Sequence, residues 1–145
     1  MQQIDISSLS LEQISLLKSQ FEQEIEQLSA LQESLLSGIS RFENTRLALQ
    51  AVTDQSEGGD LLVPLTGSLY APGKLREIDN ILLDIGTGYF IEQSRSDAID
   101  FVNRKLKMMY ARNDEADLAL VRKKESQQSV TELMQHHVAK MQQQA

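Results

Sequence analysis

Apolar residues recur every seven positions through the first third of the chain: Ile14, Phe21, Leu28, Leu35, Phe42 and Leu49. A period of seven sustained this long lays one apolar stripe along an α-helix and calls for a second helix to cover it. The companion series Leu17, Glu24, Leu31, Gly38, Thr45 and Val52 is half apolar, and Ile25 and Ile39 widen the stripe. Residues 9–53 therefore read as a coiled-coil helix. Ser10 is placed to cap it, Gln13 completes a capping box, and Leu9 and Ile14 occupy the two positions of a hydrophobic staple. Gly38 in a seam position costs about 1 kcal/mol in helix propensity. It implies either a close helix approach or a bend.

The C-terminal third repeats the pattern. One series is Ile99, Leu106, Asn113, Leu120, Gln127, Met134 and Met141; the other is Val102, Met109, Ala116, Lys123, Val130 and His137. Nine of these thirteen are apolar, which makes a looser seam. Ser94 and Asp97 form a candidate capping box at the start, and Asp97 and Asp100 favour a helix N-terminus. The organisation expected is a flexible N-terminus over 1–8, a helix over 9–53, a β segment over 54–93, a helix over 94–142 and a flexible tail over 143–145. Two helices of nearly equal length, about 65 Å each, are expected to fold back on each other. That brings the chain's two ends together and leaves the middle segment at the opposite end.

The middle changes period. "DLLVPL" (60–65) reads as a strand with Pro64 on an edge or bulge. "GSLYAPGKL" (67–75) carries a Pro-Gly turn signal at Pro72-Gly73. "NILLDI" (80–85) and "YFIEQ" (89–93) read as strands joined by Gly86-Thr87-Gly88. Asp84, just before those glycines, has the look of a catalytic carboxylate. A residue there also commonly caps backbone N–H groups of the turn. No second Asp-x-Gly and no phosphate-binding Gly-x-x-x-x-Gly-Lys loop accompanies it, so the turn reading is preferred and no enzyme is expected.

Two hairpins leave strand edges and apolar side chains without cover. Leu61, Val63, Leu65, Leu69, Ile81, Leu83, Ile85 and Ile91 have no evident core within 145 residues. Isolated hairpins are marginal in water and open edges seek partners. These eight are the candidate subunit-assembly residues, with Tyr70 and Tyr89 packing beside them.

Composition narrows the remaining classes. Cys is absent, which excludes disulfides, thiolate metal sites and thiol nucleophiles. The N-terminus has neither a basic region nor an apolar core, so it does not read as a signal peptide. No apolar run approaches a membrane span. A net charge of -7 disfavours nucleic acid as a partner. The run Arg122-Lys123-Lys124, followed by Glu125, reads as a solvated helix face. His136 and His137 are adjacent and point about 100° apart on a helix, so no metal site is expected. Neither is any other cofactor.

"LLVPLTGSLYAPGKL" (61–75) and "ILLDIGTGYFIE" (81–92), set between two long helices, resemble the prefoldin subunit family, and the two hairpins resemble its alpha class. The resemblance covers nearly the whole chain. It implies a mainly α chain with a small β part, a long antiparallel coiled-coil hairpin whose β-hairpins join an inter-subunit β-barrel. It implies a heterohexamer of alpha- and beta-class subunits that captures unfolded actin and tubulin chains without ATP. It also implies delivery to the cytosolic chaperonin and a cytoplasmic location, with the nucleus as a second candidate. On that reading the helix ends hold the client through Leu9, Leu11, Ile14 and Leu17 of the first helix and Val130, Leu133, Met134, Val138 and Met141 of the second. Met side chains adapt to many apolar shapes, and coiled-coil ends fray. The competing reading is a coiled-coil adaptor that docks folded partners.

Overall fold

The computed structural model describes residues 9–143, so the expected flexible segment 1–8 and most of the tail 143–145 lie outside the described residues. The elements in chain order are α1 (Leu11–Ala51), a 3₁₀ turn (Asp54–Ser56), β1 (Asp60–Pro64), β2 (Tyr70–Lys74), β3 (Asn80–Gly86), β4 (Tyr89–Ser94) and α2 (Arg95–Gln143). They group into two compact units. One joins α1 up to Ser37 with α2 from Ala111, and the other is the continuous stretch Gly38–Tyr110.

The helix starts follow the sequence signals. The Ser10 N–H donates to Gln13 Oε1 at 2.9 Å, and the Gln13 N–H donates to Ser10 Oγ at 3.3 Å, a reciprocal capping box. The Asp97 N–H likewise donates to Ser94 Oγ at 3.1 Å at the head of α2. Each bond occupies an N–H that the first helical turn leaves unpaired.

In the first unit the two helices run antiparallel: Glu24 meets Lys123, and Gln32 Nε2 donates to Asp117 Oδ1 at 3.3 Å. Ile14, Ala116, Leu120 and Val130 are buried. Two seam positions that broke the apolar pattern, Glu24 and Lys123, face each other as an ion pair. The Lys123 ammonium also lies 5.3 Å from the centre of the Phe21 ring. Lys123 therefore leaves the solvated face on which the basic run was placed; Arg122 and Lys124 stay on it. Charges in a seam add little net stability, but any shifted register strands them without a partner.

The expected seam of α1 also drifts. Leu31 and Thr45 are exposed, while their neighbours Gln32 and Arg46 are partly covered. A straight helix of 3.6 residues per turn slips about 20° per heptad against a strict seven-residue repeat. The companion stripe consequently moves from the third to the fourth position.

The second unit holds the main core. Ile39, Leu49, Leu83, Ala98, Val102 and Leu106 are buried together, with Phe42, Ile81, Ile91, Ile99, Phe101 and Met109 packed around them. A Cβ added at Gly38 would lie 2.5 Å from the Met109 terminal methyl, which occupies the space a side chain there would take. The Tyr110 hydroxyl donates to the Glu43 carboxylate. That bond raises the phenol's pKa above its ordinary value, with desolvation adding to it.

β1 pairs with β2 and β3 with β4, each pair antiparallel and each a separate two-stranded sheet. The first turn is not at Pro72-Gly73. Both residues lie inside β2, Pro72 opposite Leu62 and Gly73 opposite Leu61. The chain reverses at Thr66-Gly67-Ser68: Leu69 O accepts from the Leu65 N–H at 2.8 Å and the Thr66 N–H at 3.2 Å, and Thr66 Oγ1 accepts from the Leu69 N–H at 3.1 Å. Proline fits within β2 because its position faces away from β1, where no ladder bond needs its N–H.

The second turn is tighter than a three-residue loop. Gly86 pairs with Tyr89 after an irregularity between Asp84 and Gly86, so Thr87 and Gly88 alone form the bend. Both have positive φ, 52° and 79°, as a type I′ turn demands. A β-branched residue is strained there.

Two outcomes follow. Thr87→Asn raises stability by about 0.5–1 kcal/mol, measured by chemical unfolding of the assembled protein; an unchanged or lower value would remove the strain argument. Lys123→Glu lowers helix stability by about 1–2 kcal/mol, and adding Glu24→Lys restores most of it. A double variant no better than the single one would show that the pair does not set the register.

Candidate functional site

Two surfaces carry the residues singled out by sequence, one in each unit. In the second unit the eight hairpin residues divide. Leu83 is buried, and Ile81 and Ile91 pack beside it on the helices. β3 and β4 thus find a core inside the chain, against the expectation that all eight lack one. The period-two alternation of β3 turns these side chains inward together.

Leu61, Val63, Leu65, Leu69 and Ile85 remain exposed. Leu62, Leu82 and Phe90 join them, at 65 %, 69 % and 56 % exposure, as do Tyr70 and Tyr89. Register assigns these to faces. Leu61, Val63 and Ala71 share one face of the first hairpin; Leu62, Pro64, Tyr70 and Pro72 share the other. Both faces are apolar. An unbroken apolar run such as "DLLVPL" carries this signal, because a strand covered on both sides need not alternate. Leu82 and Phe90 lie on the outer face of the second hairpin, opposite Leu83 and Ile91.

Side chains remote in sequence hold this surface in place. Arg95, at the start of α2, donates to the Val52 carbonyl at the end of α1 and reaches Asp54 at 3.3 Å and Asp79 at 3.7 Å. The guanidinium fork satisfies a carbonyl that the helix end leaves free while tying down two loops. Glu57 accepts from the Glu77 and Ile78 N–H groups at 3.1 and 3.3 Å, anchoring the link between the hairpins. Nothing local in the sequence marks Arg95 for this task, since its partners lie far away along the chain.

Asp84 accepts the Gly86 N–H at 2.9 Å through Oδ1. It is a turn-capping carboxylate two residues from its donor.

In the first unit the helix ends bring together the other nine residues. Ile14 and Val130 are fully buried and complete the seam. Leu9, Leu11, Leu17, Leu133 and Met134 are half-buried, and Val138 and Met141 are exposed. Leu16, which the heptad reading passed over, is 70 % exposed. An open, mostly apolar groove of about 360 Å³ runs between Lys18 of α1 and Thr131, Met134, Val138 and Gln142 of α2. His136 is exposed and His137 half-buried. Among the described residues, no helix is long and apolar enough to cross a membrane.

Known proteins share this arrangement. Residues 21–143 match the family model for prefoldin subunits. The chain is 36% identical over 140 residues to prefoldin subunit 5 of Homo sapiens, covering 97% of this chain and 91% of that protein. It is 33% identical to a probable prefoldin subunit 5 of Dictyostelium discoideum, covering 99% and 89% of the two chains. Among solved structures, filamentous PFD from Methanocaldococcus jannaschii superposes with a TM-score of 0.68 at 17% identity, over 79% of this chain and 94% of that one, a likeness of fold.

The capping role of Asp84 has a direct test. Asp84→Asn keeps an acceptor and changes stability by no more than about 0.5 kcal/mol, whereas Asp84→Ala loses about 1 kcal/mol. Thermal unfolding together with an assembly assay checks this. Loss of all function by Asp84→Asn with assembly intact would contradict it. The matched helices, the paired hairpins and the extent of these likenesses lead to one conclusion: the chain belongs to the prefoldin subunit family, with its similarity running to the subunit 5 members.

Proposed function

We propose that this chain is an alpha-class subunit of a prefoldin heterohexamer, a co-chaperone that holds unfolded proteins without ATP and passes them to the cytosolic chaperonin. Its hairpins join those of alpha- and beta-class partners in a shared β-barrel, and its helix ends take part in holding the client. Actin and tubulin chains are the proposed clients and the cytoplasm the proposed compartment. The reading assigns the chain no catalytic residue and no cofactor.

The observation that carries this reading is the first hairpin, whose five-residue strand β1 is exposed along its whole length while bearing Leu61, Leu62 and Val63. Such a surface suits burial against other chains. Client holding rests on the groove beside Met134 and Val138 and on the exposed Met141. Each contact is small, and a helix end with a flexible thioether accommodates many apolar shapes. Several such ends on one assembly raise the effective concentration of contacts, so weak sites add up to retention while each still releases.

The test uses the assembled complex and a chemically unfolded client. Val138→Ser with Met141→Ser reduces suppression of client aggregation by about threefold or more, with assembly and thermal stability unchanged because both side chains are exposed. Leu118→Ser, an exposed apolar residue elsewhere on α2 (59 % exposed), has no effect. Equal loss from both variants, or none from the first, would remove the helix ends as the holding surface.

A further inference from the structure

The first hairpin is tied to the rest of its unit by polar contacts at its base. The core of that unit draws residues from α1, α2, β3 and β4 and none from β1 or β2. The two hairpins are separate sheets, so no ladder bond joins them. At the base of the first, the Gly58 N–H donates to Leu75 O at 2.7 Å and the Leu75 N–H donates to Gly59 O at 2.9 Å. Those bonds close the hairpin on itself. They do not fix its orientation relative to the second. That falls to Glu57, just before the hairpin, and to the link 76–79 just after it.

Glu77 lies at the centre of that link with a φ of 52°, left-handed backbone in a residue that is not glycine. Such a conformation costs free energy and persists only where the surroundings hold it. The Asn80 N–H closes the turn on Glu77 O at 2.9 Å. Two successive N–H groups in a turn of this kind form a small concavity for an anion, and the Glu57 carboxylate fills it. The Glu77 N–H donates to Oε1 at 3.1 Å and the Ile78 N–H donates to Oε2 at 3.3 Å. The ionised acceptor strengthens both bonds. Arg95 ties the same two segments through the side chains of Asp54 and Asp79. Glu57 differs in binding the backbone of the link, so it fixes the path of the chain itself.

We propose that Glu57 is a positioning residue for assembly: its carboxylate, seated on the Glu77 and Ile78 N–H groups, holds the first hairpin in the one orientation to the second in which partner chains can receive both. The proposal rests on the hairpin assembly proposed above and adds the group that prepares the chain for it. A hairpin without this latch samples other orientations, and only the fraction in the receptive one can bind. Inside the complex the partners hold the hairpin themselves. Loss of the latch therefore slows association in proportion to the lost fraction and leaves dissociation alone. Loss of an interface contact does the reverse, because it acts mostly on the rate of release.

The test is a competition between full-length chains. Equal amounts of wild-type and variant chain, differently labelled, are mixed with limiting partner subunits, and early incorporation into the complex is read by native mass. Release is measured by chasing preformed complexes with excess unlabelled wild-type chain. Glu57→Ala enters the complex about fivefold or more slower than wild type, while its release stays within about twofold. Glu57→Gln keeps one acceptor oxygen and falls between the two. Glu77→Ala removes a carboxylate from the link but keeps both N–H groups, and enters like wild type. Equal entry of Glu57→Ala and wild type overturns the positioning role. So does slower entry with proportionally faster release, which would make Glu57 a contact or a stabiliser of the assembled state. An equal loss from Glu77→Ala also overturns it, by tracing the effect to charge alone. In these three cases assembly through the hairpins still stands. A wild-type chain that enters no complex overturns both readings.

Discussion

A strand with apolar side chains on both faces cannot be buried by a two-stranded hairpin alone. β1 and β2 meet that constraint directly. Their ladder satisfies the inner backbone groups, yet Leu61, Leu62, Val63, Leu65, Leu69 and Tyr70 all stay exposed. At about 25 cal/mol per Å² of apolar surface, leaving this set in water is a standing cost. The second hairpin differs in kind. One face, through Ile81, Leu83 and Ile91, docks on the helices and belongs to the chain's own core. Its outer face, with Leu82 and Phe90, remains open. One hairpin is thus fixed by its own chain and the other is left exposed on both faces.

The helices supply what the hairpins need from below. The core of the second unit draws on α1, α2 and β3 together, so the strands are held by the same residues that hold the helices to each other. Arg95 ties the α1 terminus and both adjoining loops to the head of α2. In the first unit the seam is thinner and carries charge. Glu24 and Lys123 contribute specificity of register more than stability, and the groove near Met134 and Val138 keeps apolar surface accessible.

Much of this was readable from sequence, for identifiable reasons. The heptads of Ile14 to Leu49 and Ile99 to Met134 announced two helices, because a long period is a redundant signal. Ser10, Gln13 and Asp84 acted on neighbours two or three residues away, within reach of local reasoning. The misreadings arose where a distant partner decides. Pro72-Gly73 looks like a turn until the pairing phase with β1 shows that its missing N–H faces outward. Leu31 and Thr45 left the stripe because a straight helix drifts from a seven-residue repeat. Lys123 looked solvated until Glu24, almost a hundred residues earlier, came opposite it. The inward turn of Ile81, Leu83 and Ile91 depended on a helix surface that no local pattern describes.

The most direct measurement is the native mass of this chain, alone and after mixing with candidate alpha- and beta-class partner subunits. The expected result is a poorly soluble or self-associating chain that becomes a defined six-subunit species with its partners. A well-behaved monomer with folded hairpins, unchanged by those partners, would contradict it.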